Sequence, residues 1–410
     1  MVRRPVLRVK DFGPVREAEI ELRPMTVLIG RNNTGKSYLS SLTYAIGRSL
    51  SDVILLEGLE ERYSRAEAAE IAAHTVKESI EPALVEVFER ELKELVRLGS
   101  GEAEIQVKGE GISIFITLDT RGLTDIEVSV AEKAVEQKLS SWFIKLTPSA
   151  LRHPIYLIAE RAGVFRLLKP LIRLYIGSRA HWPSEDIAKR MAAESLRLPR
   201  LAADMLADTL FAYELWKKHG EKAFKEELRL LEEIMEGTVV LTPDLRLVYK
   251  GRGGSMDLGL ASSLVAELAP FYLAIKHMSP NRSLIIEEPE AHIHPEGQVM
   301  LARLFARLVR KNVPALITTH SDLIPVALAH LTALSGLSPD EREALGYTKN
   351  EFLRPEELAI YWLKWNDGTV AEKIEVRPGG VLEHLPEMDD VIEDLYGEEA
   401  RLLELSALAS

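Results

Sequence analysis

The chain has 410 residues, of which 46% are hydrophobic and 28% charged, as in ordinary globular proteins. Its net charge of −12 argues against a protein that coats DNA over a broad face, so any contact with nucleic acid must be local. Cysteine is absent, which excludes disulfides and thiolate metal sites. No apolar run approaches the roughly 18 residues that a membrane span needs. We therefore expect a cytoplasmic protein without a membrane partner.

The N-terminal residues predict a strand pair followed by a third strand that enters a glycine-rich loop. Alternating residues within 5–29 predict two antiparallel strands, and Asp11–Pro14 contains the Gly and Pro that break the pattern between them. The apolar run Thr26–Ile29 then leads into Gly30–Ser37, whose sequence is G-x-x-x-x-G-K-S. Because the residues after this loop predict a helix, the context is that of a phosphate-binding P-loop.

The chemistry of this loop follows from its residue types. Its backbone N–H groups would point inward and bind an anion, and the N-terminus of the next helix would add partial positive charge. Glycine at both ends of the loop permits backbone angles and close approach that a Cβ would block. Lys36 would reach the β- and γ-phosphates, and the Ser37 hydroxyl would hold Mg²⁺. The predicted nucleotide-binding residues are Gly30, Arg31, Asn32, Asn33, Thr34, Gly35, Lys36, Ser37 and Tyr38.

Apolar periodicity predicts the elements between this loop and residue 277. Apolar residues that recur three and four positions apart predict helices, and apolar residues that alternate with polar ones predict strands. The predicted helical ranges are 36–98, 131–144, 164–237 and 262–277. The predicted strands lie within 103–129, 154–159 and 238–249, the last of these as a hairpin.

Two strongly apolar strands at 283–286 and 314–318 flank a predicted helix at 296–311. A strand–helix–strand unit of this kind implies a right-handed crossover and a parallel sheet. Beyond it, a strand pair is predicted around 359–365 and 371–376.

The side chains after these two apolar strands would lie beside the P-loop, because parallel strands end at the same edge of a sheet. Glu287 is expected to bind Mg²⁺ directly or through water, and Glu288 to orient or deprotonate the attacking water. His320 could reach the γ-phosphate. Taken alone, the acids could instead form a solvated strand end, and the histidine could be structural.

Ala261–Leu264 begins another predicted helix. Ser262 and the helix N-terminus could donate hydrogen bonds to a phosphate. The alternative is a plain helix cap.

These elements, in this order, resemble the ABC-type ATPase heads of the SMC, RecF and overcoming-lysogenization-defect (OLD) group. The resemblance rests on Leu7–Pro14, Ile29–Ser37 and Ile286–Pro295, and the last run is typical of the OLD-like branch. It implies an α/β P-loop NTPase head with a mixed, largely parallel sheet core, an antiparallel β lobe and an inserted, mainly helical region. OLD-type nucleases add a Toprim nuclease domain, which we do not expect here.

The resemblance also implies roles for single residues. Glu287 corresponds to the Walker B acid, Glu288 to the catalytic glutamate and His320 to the switch histidine, which act with Lys36. Ser262 corresponds to the signature serine, which contacts the nucleotide of a second protomer. The implied cofactors are ATP and Mg²⁺, and the implied partner is a second copy that closes head to tail around ATP.

Arg161 lies in Ala159–Gly163, where the related heads carry their Q-loop. Its side chain could face the nucleotide or the dimer partner. The equally open alternative is that it forms a structural salt bridge. The predicted domain division assigns 1–50, 101–163 and 238–410 to the head, 51–100 to a helical insertion and 164–237 to a helical insertion or lid.

Two further patterns have competing interpretations. Residues 164–200 carry eight basic and three acidic side chains, which suggests a DNA or RNA contact, although a solvated helix face or a protein interface would give the same pattern. His292 and His294 could suggest a metal pair, but Pro295 after them favours a structural turn.

The sequence therefore predicts an ATP-hydrolysing ABC-type ATPase that acts as an ATP-gated homodimer, with DNA repair, DNA maintenance or anti-phage defence as possible settings. One alternative is the regulatory or sensor ATPase subunit of a two-protein system whose effector is encoded separately. Another is a nucleotide switch with negligible turnover and no binding of nucleic acid.

Overall fold

The computed structural model describes residues 5–54, 65–109, 111–130, 147–167, 198–211, 219–242, 246–278, 281–383, 396–399 and 401. The predicted helix at 131–144 and most of the basic segment 164–200 lie outside the described residues. No helix among the described ranges is long and apolar enough to cross a membrane.

Sixteen strands are present in the described part of the chain. In chain order they are β1 (Val6–Phe12), β2 (Val15–Glu21), β3 (Met25–Ile29), β4 (Glu102–Lys108), β5 (Ile112–Asp119), β6 (Gly122–Val130), β7 (Ile155–Leu157), β8 (Gly237–Leu241), β9 (Leu247–Gly251), β10 (Gly254–Asp257), β11 (Leu284–Glu287), β12 (Ala315–Thr319), β13 (Leu358–Trp365), β14 (Thr369–Ile374), β15 (Val376–Arg377) and β16 (Val381–Leu382).

Eleven of these strands form one continuous sheet in the order β6-β5-β4-β1-β2-β14-β13-β3-β12-β11-β7. The five strands from β13 to β7 are mutually parallel. The strands β2, β1, β4, β5 and β6 are antiparallel to their neighbours in this order. Strand β14 joins the two halves, since it is antiparallel to β13 and parallel to β2. The predicted α/β class, with a mixed parallel and antiparallel sheet, is confirmed.

The helices pack on both faces of the parallel part of this sheet. The α-helices are α1 (Lys36–Ile54), α2 (Arg65–Phe88), α3 (described over 161–167), α4 (Arg200–Leu206), α5 (His219–Ala223), α6 (Lys225–Met235), α7 (Ser263–Lys276), α8 (Pro295–Arg310), α9 (Leu323–Ala333) and α10 (Pro339–Ala344). A π-helical turn at Ala207–Phe211 follows α4, and 3-10 turns occupy Leu92–Leu95, Ser149–Leu151, Leu258–Leu260, Leu334–Gly336 and Pro355–Glu357.

Alternation along the central strands divides the buried apolar residues into two cores. Val27 of β3 and the neighbouring Ile317 and Ile286 face the core that contains α7 and α8. Leu28 and Ile285, one position away from Val27 and Ile286, face the other core, which contains α1 and α2. Because helices bury both faces of the central strands, these strands are apolar throughout instead of alternating with polar residues.

The hairpin predicted at 238–249 corresponds to β8 and β9, and the structure adds β10 as a third antiparallel strand. The strand pair predicted near 359–376 corresponds to β13 and β14, which join the main sheet. The division into a head and two insertions stays a prediction. In the structure, α2 packs in the same core as α1 and the antiparallel strands.

Candidate functional site

The glycine-rich loop connects β3, all of whose residues are buried, to the first turn of α1. Gly30 and Gly35 adopt backbone φ angles of 154° and 79°, which residues with a Cβ rarely adopt. A Cβ on Gly30 would lie 2.3 Å from the carbonyl oxygen of Leu363, and one on Gly35 would lie 2.9 Å from Thr369 Oγ1. Both glycines are therefore required by conformation and by space, because β13 and β14 pass directly beneath the loop.

The Lys36 side chain folds back over this loop. Only 6% of Lys36 is exposed, and its ammonium donates to the carbonyl oxygens of Gly30 at 2.5 Å and Arg31 at 2.7 Å. Thr34 Oγ1 donates to the Arg31 carbonyl at 2.8 Å and fixes the turn. The ammonium therefore lies inside the loop, where it would meet the phosphates of a nucleotide.

A cavity of about 540 Å³ lies against the P-loop. It is lined by Pro14, Asn32, Asn33, Thr34, Gly35, Lys36, Ser37, Tyr38, Glu288, Thr318 and His320. The loop from the N-terminal part of the chain and the ends of β11 and β12 thus meet around one space. Of the other residues singled out from the sequence, Gly30, Arg31, Glu287, Arg161 and Ser262 are not among those that line it.

Glu288 and His320 are brought together by the pairing of β11 with β12. The amide of Glu288 donates to the Thr318 carbonyl at 2.9 Å, which continues the parallel ladder beyond the strand. His320 Nε2 lies 3.4 Å from Glu288 Oε1, and the two side chains remain 33% and 40% exposed. Both groups are therefore accessible to a molecule in the cavity.

A third acid, Glu290, holds the loop that carries His320. Its Oε1 accepts from Thr319 Oγ1 at 2.7 Å and from the His320 amide at 2.8 Å. Sequence reasoning missed this contact. The signal available was a carboxylate two residues after the acid pair, but its partner on the next strand end is set by the tertiary fold.

Glu287 lies deeper than Glu288, with 7% of the residue exposed. Its Oε2 accepts from the Ala159 amide at 3.2 Å, and its Oε1 is 3.5 Å from Ser40 Oγ. Ser40 also bonds the buried Tyr156 hydroxyl at 2.8 Å. Burial raises the pKa of Tyr156, and the nearby Glu287 charge raises it further, so the phenol is neutral and can donate a hydrogen bond.

The surroundings of Glu287 suit Mg²⁺. Ser40 Oγ donates to the Ser37 carbonyl at 3.0 Å, so Glu287 lies beside the helical turn that begins with Lys36 and Ser37. A serine hydroxyl and a carboxylate are hard oxygen donors, which Mg²⁺ prefers together with water and phosphate oxygens. Among the described residues no group of three or more His, Asp or Glu side chains could hold a metal, so phosphate and water would have to complete the coordination.

Arg161 is not among the residues that line the cavity, and its surroundings match the structural salt bridge, one of the two interpretations of this residue from the sequence. Only 1% of the residue is exposed, because its guanidinium is enclosed behind the Glu287–Glu288 turn. Arg161 Nε lies 3.3 Å from Glu267 Oε2, which is the structural salt bridge of the alternative reading.

Ser262 is the N-cap of α7, and its hydroxyl accepts from the Val265 amide at 3.4 Å. The residue is exposed, so the cap and a contact with a second protomer are compatible. His294 is the N-cap residue before Pro295 of α8, and His292 has a left-handed φ of 60°. These positions fit the structural turn predicted for the histidine pair.

The described basic residues near the two ends of the segment 164–200 form hydrogen bonds and ion pairs within the chain. Arg166 donates to the Ala261 carbonyl at 3.0 Å. Arg200 pairs with Glu86 at 2.8 Å and with Asp204 at 2.9 Å. The other basic residues of 164–200 lie outside the described residues, so a nucleic-acid contact there stays a prediction.

Comparison with known proteins supplies a family. Residues 25–327, more than half of the chain, match the family described as "AAA domain, putative AbiEii toxin, Type IV TA system". This match confirms the predicted assignment to the P-loop ATPases. No curated protein matches the chain.

Solved structures with similar folds include three SMC head domains. The first, described as an SMC head bound to the C-terminal winged-helix domain of ScpA, is 13% identical, with a TM-score of 0.48 over 90% of this chain and 98% of the other. The second, an SMC head with an extended coiled coil bound to the C-terminal domain of ScpA from Pyrococcus furiosus, is 13% identical, with a TM-score of 0.45 over 96% and 100%. The third, from Thermotoga maritima, is 12% identical, with a TM-score of 0.39 over 92% and 100%.

Proposed function

We propose that this chain, which belongs to the AAA-domain family matched over residues 25–327, binds Mg²⁺–ATP in the cavity beside the P-loop and hydrolyses it. One observation carries the proposal: residues Asn32–Tyr38, Glu288 and His320 line the same cavity of about 540 Å³. A phosphate cradle beside a carboxylate that can position the attacking water is the arrangement that hydrolysis of a γ-phosphate uses, and the His320 imidazole lies next to this carboxylate.

Each group has a distinct task in this reaction. The backbone amides of the P-loop and the Lys36 ammonium bind the phosphates and offset the charge that develops on them. Glu288 accepts a proton from the attacking water, and His320, at 3.4 Å, orients that carboxylate and the γ-phosphate. Ser37 and Glu287 would hold Mg²⁺, which supplies further neutralisation of phosphate charge.

We further propose that two copies close head to tail around ATP. Ser262 and the N-terminus of α7 do not line the cavity of their own chain, yet Ser262 is exposed, the first two helical residues are half-buried, and a helix N-terminus is suited to bind phosphate. A second protomer could therefore present this helix end to the open side of the nucleotide. ATP that binds only the closed pair stabilises the dimer by mass action, and hydrolysis releases it.

The test is the molecular mass of a Glu288→Gln variant with and without Mg²⁺–ATP, measured by light scattering. A dimer that appears only with ATP is the expected result, because hydrolysis is blocked while binding is retained. The matched control, Glu288→Gln combined with Lys36→Ala, should stay monomeric. A monomer under all conditions would remove the dimer from the proposal, and absence of ATP binding would remove the ATPase itself.

A second candidate is an ATPase subunit that regulates a separately encoded effector. The family description favours it, because it names a toxin–antitoxin system, which has two components. Purification with the neighbouring gene product should then yield a stable complex whose formation depends on nucleotide. An effector that binds the Lys36→Ala variant and the wild type with equal affinity would contradict control of the complex by nucleotide.

A role on DNA is the third candidate, in repair, maintenance or anti-phage defence, and its support is the cluster of basic residues at 164–200. Binding to DNA should be stimulated by ATP and weakened steeply by salt, since counterions are released from the phosphates. Replacing Arg173, Arg179 and Arg190 with Gln should abolish it. DNA binding that survives this change would exclude the segment as the DNA contact. In a separate outcome, ATP binding with negligible turnover and no DNA binding would indicate a nucleotide switch.

A further inference from the structure

Arg161 makes four hydrogen bonds to backbone carbonyl oxygens, which come from three different segments of the chain. Its Nη1 donates to Glu287 at 2.7 Å and to Ile158 at 3.1 Å, its Nη2 to Glu288 at 3.0 Å, and its Nε to Glu267 at 2.9 Å. One buried guanidinium therefore joins the end of β7, the Glu287–Glu288 turn and helix α7.

The turn that Arg161 holds is strained at the residue whose side chain faces the cavity. Glu288 has a φ of 44°, in the left-handed region that residues other than glycine rarely adopt because it brings their Cβ too close to the backbone. Carbonyl groups on both sides of this φ angle, those of Glu287 and Glu288, accept from the same guanidinium. Because a planar guanidinium presents its donors in a fixed geometry, it defines the relative orientation of the two carbonyls.

Arg161 is itself fixed by Glu267 of α7. Glu267 Oε2 lies 3.3 Å from Arg161 Nε, and the two side chains are 6% and 1% exposed. Burial raises the pKa of Glu267, whereas the Arg161 charge opposes that rise, so the ionised carboxylate depends on its partner. Glu267 lies five positions after Ser262, or about 7.5 Å along the helix.

We propose that Arg161, anchored by Glu267, is a positioning residue that aims Glu288 at the attacking water. Arg161 touches neither the cavity nor the reacting atoms, so it acts through the backbone of the Glu287–Glu288 turn. The same contacts connect this turn to α7, the helix that begins after Ser262. This inference rests on the proposed ATPase function.

The first experiment compares two conservative variants, Arg161→Lys and Glu267→Gln, with the wild-type chain. Lysine keeps the charge but loses the planar set of donors, and glutamine keeps the shape but loses the charge. We expect kcat to fall roughly 10- to 100-fold, as misplacement of a catalytic group by about 1 Å does, while the Kd for Mg²⁺–ATP stays within about twofold.

Two matched controls separate positioning from general loss of structure. Arg342 is also a buried arginine, 6% exposed, that donates to two carbonyls, those of Leu334 and Leu337, away from the cavity. Glu227 is a 1% exposed acid paired with Lys311 at 2.7 Å. Arg342→Lys and Glu227→Gln should lower the melting temperature to a similar extent and leave kcat unchanged.

The second experiment is a double-mutant cycle with Glu288→Gln. If Arg161 acts only through Glu288, then Arg161→Lys should cause no further loss of turnover once the carboxylate is absent. A role in overall stability would instead reduce the residual rate by the same factor as in the wild-type background.

The outcomes distinguish this inference from the proposed function. A wild-type chain that does not bind and hydrolyse ATP refutes the proposed function. An active wild type with unchanged kcat in Arg161→Lys and Glu267→Gln, or with additive losses in the cycle, overturns the positioning role alone. Should Arg161→Lys not fold, the isosteric Glu267→Gln and its own cycle with Glu288→Gln decide the question.

Discussion

His320 Nε2 lies 3.4 Å from Glu288 Oε1, although the two side chains come from different loops. The contact arises because β11 and β12 are adjacent and parallel, so that the residues after them lie at one edge of the sheet. Glu290 then fixes the separation, since its carboxylate accepts from the His320 amide. Contacts within the protein therefore position the imidazole and the carboxylate as a pair.

The first prediction concerns the carboxylate of this pair. Glu288→Gln should leave ATP binding intact and slow hydrolysis by about 10²- to 10⁴-fold, the usual contribution of a general base. Phosphate release under saturating ATP and calorimetric titration measure the two quantities. Glu343→Gln, on the exposed surface of α10, is the control and should change neither. Wild-type turnover in Glu288→Gln would remove this residue from the reaction.

The second prediction concerns the ammonium inside the loop. Lys36→Ala should abolish ATP binding, because it deletes the one side-chain cation among the residues that line the cavity. Isothermal titration calorimetry with Mg²⁺–ATP gives the affinity. Lys349→Ala, at an exposed position, should bind ATP as the wild type does. Unaltered affinity of Lys36→Ala would contradict the assignment of this loop to phosphate binding.

The parts of the site that could be predicted from the sequence are those with local signals. The G-x-x-x-x-G-K-S run between an apolar strand and a helix identifies the loop by itself. The acids and His320 follow apolar strands, and the rule that parallel strands end together predicted that they would meet. Glu288 and His320 do line the cavity with the loop.

The parts that could not be predicted depend on contacts between distant segments. Arg161 had a nucleotide-facing and a structural interpretation, and only the position of Glu267 on α7 decides between them. The bond of Tyr156 to Ser40 beside Glu287 requires the order of β7, β11 and β3 in the sheet. Likewise, the parallel pairing of β14 with β2, which makes one continuous sheet of the two halves, has no local sequence signal.

The third prediction uses pH to test a buried ion cluster outside the site. Glu351 is fully buried and accepts from Arg303 at 2.6 Å, from Arg307 at 2.5 Å and from the Thr348 amide at 2.8 Å. Burial acts to raise the pKa of Glu351, but these hydrogen bonds outweigh it, so its pKa in the folded chain lies below the usual value. Glu351→Gln should lower the free energy of unfolding at neutral pH by about 3 kcal/mol, because it removes the buried carboxylate charge that pairs with two partly buried arginines.

The sign of the pH dependence follows from the lowered pKa. A carboxylate with a depressed folded-state pKa stabilises the protein fully above the unfolded-state pKa of roughly 4.3, and this stabilisation is lost as the pH falls through the folded-state value. The difference in unfolding free energy between wild type and Glu351→Gln should therefore shrink below about pH 4. Urea unfolding across this range measures it, and a difference that is constant or grows with acidity would contradict the ionised cluster.

The fourth prediction separates conformation from space at the second glycine of the loop. Gly35 and Gly99 have similar left-handed φ angles of 79° and 89°, but a Cβ on Gly35 would lie 2.9 Å from Thr369 Oγ1 whereas nothing lies within 4 Å of one on Gly99. Gly99→Ala should thus show the cost of the φ angle alone, about 1 kcal/mol of stability, with ATP affinity unchanged. Gly35→Ala adds a clash with Thr369, which should push the loop away from β14 and move its amides off the phosphate positions. ATP affinity should therefore fall by at least about tenfold, equivalent to roughly 1.4 kcal/mol. Calorimetry and thermal unfolding of both variants test this, and equal ATP affinities would show that the contact with Thr369 does not shape the loop.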